Sequence, residues 1–320
     1  MARKILENIS MGMTWTTYTG SVHGVLKGAG LWNESVELLM GMTGMAFHFI
    51  VHNRTCPSSV TVYDWMSEHF AMMDRIGIYS ESTHIENSGS LNTFDKARAK
   101  AVERIKESID GGIGVVVWAP TPILEFGIIN GYDDEDEVFF VVDCMKNNPD
   151  PLLYSNLGKS EVPVLFIQRF YDKVNVEPEK IFRDSLHFGV YQWEKESNIP
   201  MYASGRKGYL NLINALENKE FIPFGLVYLL AVYADSKRII DTYLKYIIER
   251  SGYLKGLDEA SDIYTAIKDK YNRLTELAPF RGPGRGELND KNIKPALKLV
   301  KECFDLEEKA MGIIKTSLDG

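Results

Sequence analysis

The sequence predicts an α+β fold followed by an all-helical domain, and three observations carry that prediction. The stretch from Gly111 to Asp143, GGIGVVVWAPTPILEFGIINGYDDEDEVFFVVD, holds three apolar runs of strand length: Gly114–Trp118, Glu125–Tyr132 and Val138–Asp143. The acidic turn DDEDE separates the last two, which predicts a buried β-hairpin. Sequences with an apolar stripe of helical period flank these runs, and buried strands need such cover on both faces. Finally, the β signal stops near residues 172–178 and helical patterns take over. The chain therefore divides into an α+β domain over 1–172 and a helical domain over 173–320.

Taken in order, residues 1–20 carry little periodicity. Ser21–Leu31 (SVHGVLKGAGL) has apolar residues at Val22, Val25 and Leu26 and ends in Gly28 and Gly30, a helix with a glycine stop. Residues 33–40 predict a short helix with Asn33 as N-cap. Over 41–52, Phe47, Phe49 and Val51 alternate with His48, Ile50 and His52, which predicts a strand. NRTCPSS (53–59) is a loop broken by Pro57. Val60–Ile76 contains an amphipathic helix closed by Gly77. Asn92–Asp110 is another, stopped by Gly111 and Gly112. After the hairpin come a polar loop and a last strand over Val162–Phe170. Helices follow over Pro178–Val190, Gly205–Asn218, Phe221–Arg250, Leu257–Leu277 and Asn292–Ser317, interrupted by the loop FRGPGRGELND.

Composition narrows the function. A chain of 320 residues with 45% hydrophobic and 25% charged residues has the make-up of a soluble globular protein with a substantial core. The net charge of −8 argues against nucleic acid as the main partner, because a phosphate backbone needs a basic face, and it does nothing for binding to an anionic membrane. The most apolar window, Phe221–Ala234, is 14 residues long and too short to span a bilayer. The start, MARKILENISMGMTW, has no apolar h-region. Cys56, Cys144 and Cys303 give neither a disulfide framework nor a zinc spacing, and free thiols fit a reducing cytoplasm. His48 and His52 share a predicted strand face but lack a carboxylate at ligand spacing, so neither metal nor cofactor is predicted. Glu68 and His69 read as part of a solvated helix face, and Cys144 as a buried, inert thiol at a strand end.

The run GIINGYDDEDEVFFVVD, preceded by a helix and a strand, resembles the papain-like domain of the C39 peptidases and the related N-terminal domain of the butirosin-biosynthesis acyltransferase type. SVHGVLKGAG and GMTGMAFHF also suit the latter, and the resemblance covers roughly residues 10–170. It implies a papain-like cysteine-peptidase fold with a cleft between an early helix and the central sheet. In these families the nucleophilic cysteine starts an early helix that ends in glycine about thirteen residues on. A histidine precedes the glycine of a G-Y-D-D turn by six, and the next strand ends in aspartate. Carried onto this chain, the cysteine position is Thr17, counted from Gly30, and the histidine position is Glu125, counted from Gly131. Asp143 keeps the family's residue type. The glutamine that donates to the oxyanion falls at Met11.

These replacements change the chemistry. A thiolate–imidazolium pair works because histidine holds a proton near neutral pH and lowers the cysteine pKa. A threonine hydroxyl is a far weaker nucleophile and needs a strong adjacent base. Glu125 serves as one only with a raised pKa, to which a neighbouring Asp143 carboxylate contributes. Two carboxylates in one cleft equally suit a cation, an amine or a metal. The sequence therefore reads as a papain-like pseudoenzyme without the Cys–His pair that binds a small molecule or peptide. Ser21, His48 and Asn130 are its ligand-binding positions beside Thr17, Glu125 and Asp143. The alternative is an acyltransferase or amide hydrolase of secondary-metabolite or peptide-modification type that works through Thr17, Glu125 and Asp143. A homo-oligomer is left open.

Overall fold

The computed structural model describes residues 2–145, 149–196, 199–251, 254–282 and 284–319. The chain forms two compact units, one of Met1–Leu39 with Asp64–Val176 and one of Met40–Tyr63 with Glu177–Gly320. In chain order the elements are β1 (Arg3–Ile5), α1 (Thr17–Gly28), α2 (Val36–Met42), β2 (Ile50–His52), α3 (Trp65–Arg75), β3 (Ile78–Ile85), α4 (Phe94–Asp110), β4 (Val115–Trp118), β5 (Phe126–Asp133), β6 (Val138–Val142), β7 (Leu152–Leu153) and β8 (Leu165–Lys173). Then follow α5 (Pro178–Glu194), β9 (Tyr202–Ser204), α6 (Gly205–Asn218), α7 (Pro223–Arg250), α8 (Leu257–Leu277) and α9 (Asp290–Asp319). Among the described residues no helix is long and apolar enough to cross a membrane.

The first unit is built on an antiparallel sheet in the order β3-β8-β4-β5-β6-β7, with β1 pairing β5 beyond the end of β4. The predicted hairpin is β5–β6, in register Ile128↔Val142 and Asp133↔Val138, with a bulge between Ile129 and Gly131. One face packs on α4: Phe94, Ala101, Ile105 and Ile109 close over Val115, Val117, Ile129, Val141, Leu165 and Ile167. On the other face α1 and α3 bring Tyr18, Trp65 and His69 against Trp118, Phe126 and Phe166. Cover on both faces explains why all four residues of β4 are buried and why they form an unbroken apolar run instead of an alternation. Each such Val, Ile or Phe contributes about 1.5–3 kcal/mol when fully buried.

Local chemistry sets several helix starts. The Asp64 side chain accepts hydrogen bonds from the Met66 and Ser67 amides and so begins α3. Ahead of α2, Ser35 accepts from the Leu38 amide at 3.3 Å, so Ser35 does the capping work that the sequence suggested for Asn33. α1 begins at Thr17, four residues before the predicted start, because Thr17–Gly20 are buried without forming an apolar stripe. β3 went unpredicted. Its sequence IYSESTHI is largely polar, and the strand lies at the sheet edge, where only Ile78 and Ser80 are buried.

In the second unit, α6 and α8 occupy the predicted bounds, and α5, α7 and α9 extend or trim them by a few residues. Its core holds Tyr209, Tyr243, Tyr264 and Tyr271, all fully buried. A buried ion pair, Lys237 Nζ to Glu307 Oε1 at 2.6 Å, joins α7 to α9. Tyr209 and Tyr264 donate to the same carboxylate at 2.7 and 3.0 Å, and Tyr271 donates to Tyr209 at 3.0 Å.

Residues 40–63, read from sequence as part of the first domain, cluster with this unit. Phe49 stacks on Tyr209 at 4.3 Å, and the Ile50 amide donates to the Tyr233 hydroxyl at 3.0 Å. The strand predicted over 41–52 is a short 3₁₀ turn at Met45–Phe47 followed by β2, which pairs β9. Every residue from Gly41 to Ile50 is buried, so the alternation there never marked a solvent face.

Candidate functional site

Thr17 is the first residue of α1, and Glu125 immediately precedes β5. The fold brings the two together over 108 positions of sequence: Thr17 Oγ1 donates to Glu125 Oε2 at 2.6 Å. The Phe126 amide donates to Thr17 Oγ1 at 3.3 Å, so the hydroxyl is held from both sides. Thr17 is 8% exposed, which limits solvent competition for these bonds. The Glu125 backbone is fixed from β4: Ala119, in the left-handed region at φ 45°, donates its amide to the Glu125 carbonyl at 2.9 Å. A non-glycine residue in that region costs about 1–2 kcal/mol, so this link is maintained against local preference. Two residues on from Glu125, position 127 must be glycine. A Cβ there would stand 2.7 Å from both Pro120 Cγ and the Val142 carbonyl oxygen.

The third predicted position lies at the same end of the sheet. Extending the β5–β6 register by one residue puts Asp143 opposite Gly127. Asp143 is 8% exposed and accepts from the Met145 amide at 2.7 Å, which turns the chain out of the strand. Beside it, Cys144 is an exposed residue, against the expectation of a buried thiol. Loss of solvent around the sulfur, with the negative charges of Glu125 and Asp143 nearby, raises its pKa to about 11. That is the opposite of an activated nucleophile.

Of the other predicted positions, Ser21 and Asn130 belong to the first unit and His48 to the second. Ser21 lies one turn along α1, about 6 Å from Thr17 along the axis. Its side chain is fully buried, and its hydroxyl makes no hydrogen bond. Asn130 is four residues into β5 from Phe126, about 13 Å along the strand, and donates to the Leu6 carbonyl at 3.3 Å. His48 belongs to the second unit, where its ring packs edge-on to Tyr63 at 4.7 Å and near Phe188 at 5.5 Å. Cys56 is also in that unit; its thiol lies 2.9 Å from Ser58 Oγ, which in turn lies 2.9 Å from the Tyr202 hydroxyl.

Sequence reasoning missed the support beneath Thr17. The Tyr18 ring stacks on His69 at 3.6 Å and 9°, and its hydroxyl donates to Gln168 at 2.9 Å. Gln168 donates on to Ser80 at 3.1 Å. Burial pushes the Tyr18 hydroxyl well above the usual phenol range, so it stays a neutral donor. His69, read as part of a solvated face, is 0% exposed and stacked in line with Trp65. No local pattern signals these contacts, since Tyr18 and Gln168 are 150 positions apart. The only available clue was an aromatic residue directly following a candidate site residue.

What the arrangement can do follows from its atoms. It presents a hydroxyl and two carboxylates, with the Cys144 thiol near enough for both carboxylates to raise its pKa. A carboxylate at a helix N-terminus is favoured by the helix dipole by about 0.3–1 kcal/mol. Such a group suits holding an N–H donor or a positive charge. Among the described residues no group of three His, Cys, Asp or Glu side chains gathers as a metal site. No family model, curated protein or solved structure matches the chain.

Proposed function

We propose that the first unit is a papain-like domain, related to the C39 peptidases and the butirosin-type acyltransferases, in which a hydroxyl and a carboxylate stand where those families carry cysteine and histidine. Its function is to bind a small molecule or peptide in the cleft between α1 and the central sheet. An amine or amide N–H group of the ligand bonds to Glu125 and Asp143. The observation that supports this reading is the 2.6 Å contact between Thr17 Oγ1 and Glu125 Oε2, two positions picked by family spacing alone.

Isothermal titration of primary amines and short peptides against the protein and its Glu125→Gln variant tests it. A hydrogen bond to a charged group is worth about 1.5–3 kcal/mol, so Kd should rise roughly tenfold to a hundredfold in the variant. Equal affinities in the two proteins would remove Glu125 from the site.

A second reading, acyl transfer or amide hydrolysis, draws on the same contact, because Glu125 is placed to take the Thr17 proton directly. In that reading Thr17 Oγ1 attacks an acyl carbonyl, its proton passes to Glu125, and the leaving group departs with a proton returned from Glu125. It requires an acyl adduct on Thr17 after incubation with an acyl thioester, detectable by peptide mass spectrometry and absent from Thr17→Val.

A further inference from the structure

The second unit holds a cavity of about 260 Å³ between the end of α8 and the start of α9. Helical spacing builds its walls. Arg273, Glu276 and Leu277 stand at i, i+3 and i+4 of α8. Pro295, Lys298, Leu299 and Glu302 stand at i, i+3, i+4 and i+7 of α9, so each set lies on one helix face. Asn292 Nδ2 donates to the Leu277 carbonyl at 3.0 Å and ties the two helix ends together. Leu277, Pro295 and Leu299 supply the apolar lining. The Pro295 ring, inside the helix, adds apolar surface and no backbone donor.

The polar lining is unevenly charged. Glu302 Oε2 accepts from Lys270 Nζ at 2.5 Å, and its other oxygen lies 3.9 Å from Lys298 Nζ. The bond from Lys270, with the charges of Lys270, Lys298 and Arg273, holds the Glu302 carboxyl below the usual carboxylate range. Three cations therefore gather on a carboxylate that one of them already neutralises. Glu276 offsets a second, and one positive charge is left over, in a chain whose net charge is −8. Arg273 and Lys298 are exposed, whereas Leu299 is buried, so the cavity runs from a rim with a positive excess to an apolar floor. A guanidinium beside an ammonium is matched by a carboxylate, which the arginine fork receives through two parallel hydrogen bonds.

We propose that this cavity binds a small monocarboxylate with an apolar chain, its carboxylate held by Arg273 and Lys298 and its chain on Leu277, Pro295 and Leu299. The volume admits a molecule of amino-acid size and falls short of a drug-sized one, whose pockets begin at about 300 Å³. No residue of the Thr17–Glu125 site takes part, so the proposal stands apart from the function argued for the first unit.

Isocaproate is the probe, added to the full-length protein with methyl-labelled leucines and followed by NMR. The Leu277 and Leu299 methyl signals should shift saturably, with a Kd on the order of 1 mM. Arg273→Gln and Lys298→Gln, both at exposed positions, should each raise that Kd about tenfold by removing one charged partner. Glu125→Gln should leave it unchanged. Isohexyl alcohol, which has the chain without the charge, should bind about tenfold more weakly or worse. No saturable shift of either leucine up to about 50 mM isocaproate overturns the proposal. So does a shift confined to other leucines, binding that survives both substitutions at full strength, or equal affinity for acid and alcohol. Binding weakened by Glu125→Gln and not by the other two substitutions would put the probe at the Thr17–Glu125 site and overturn it as well.

Discussion

Thr17, Glu125 and Asp143 come from carrying the spacing of the resembled families onto this chain, since the local pattern alone starts α1 at Ser21, four residues late. What counting does not reach is the environment of each group. Cys144 is the clearest case. Although the residue as a whole is exposed, loss of solvent around its sulfur, and then the charges of Glu125 and Asp143, raises the thiol pKa to about 11. A raised thiol pKa keeps the sulfur protonated at neutral pH, and the reactive thiolate grows about tenfold per pH unit until the pKa is reached. Alkylation of Cys144, followed by peptide mass spectrometry, is therefore expected to be slow at pH 7–8 and to climb steadily toward pH 11. Glu125→Gln removes one of the two charges and should speed labelling at fixed pH. A Cys144 that labels rapidly at pH 7 would contradict the loss of solvent around its sulfur and the nearby negative charge. For Ser21 and Asn130, residue type alone did not reveal a buried hydroxyl or a strand position about 13 Å from Phe126.

At the scale of elements, strongly periodic segments were legible and mixed ones were not. α4, α6, α8 and the β5–β6 hairpin follow from stripe, cap and turn chemistry. β3 did not, because an edge strand facing water has no apolar run to show. Within the helical unit the sequence also gave no warning of the Lys237–Glu307 pair, whose side chains are 2% and 3% exposed. The ammonium also lies 4.8 Å from the centre of the Phe49 ring, and the carboxylate receives two tyrosine hydroxyls. Removing one partner leaves a buried charge uncompensated, so Lys237→Met or Glu307→Gln alone should destabilise the protein by about 3–5 kcal/mol. The double Lys237→Met/Glu307→Met variant removes both charges but leaves the hydroxyls of Tyr209 and Tyr264 without their acceptor, which costs about 1–3 kcal/mol each before repacking. Its stability should therefore fall between that of the native protein and the sum of the single losses, as urea unfolding would measure. Additive single effects would mean that the two groups do not act as a pair.

For the molecule as a whole, the change from strands to helices near residue 176 was visible in composition, and the two units meet in sequence there. The passage of residues 40–63 into the second unit was not visible. It is carried by contacts such as Phe49 on Tyr209 and the Ile50 amide on Tyr233, which join residues about 160 and 183 positions apart and leave no local trace. The same non-local closure produces the Thr17–Glu125 contact on which the functional account rests. A crystal structure of the protein with a bound amine or peptide selected by titration tests that account most directly. It should place a ligand nitrogen within hydrogen-bond distance of Glu125 Oε2, beside Thr17 Oγ1. A ligand bound elsewhere, with the Thr17–Glu125 pair untouched, would contradict it.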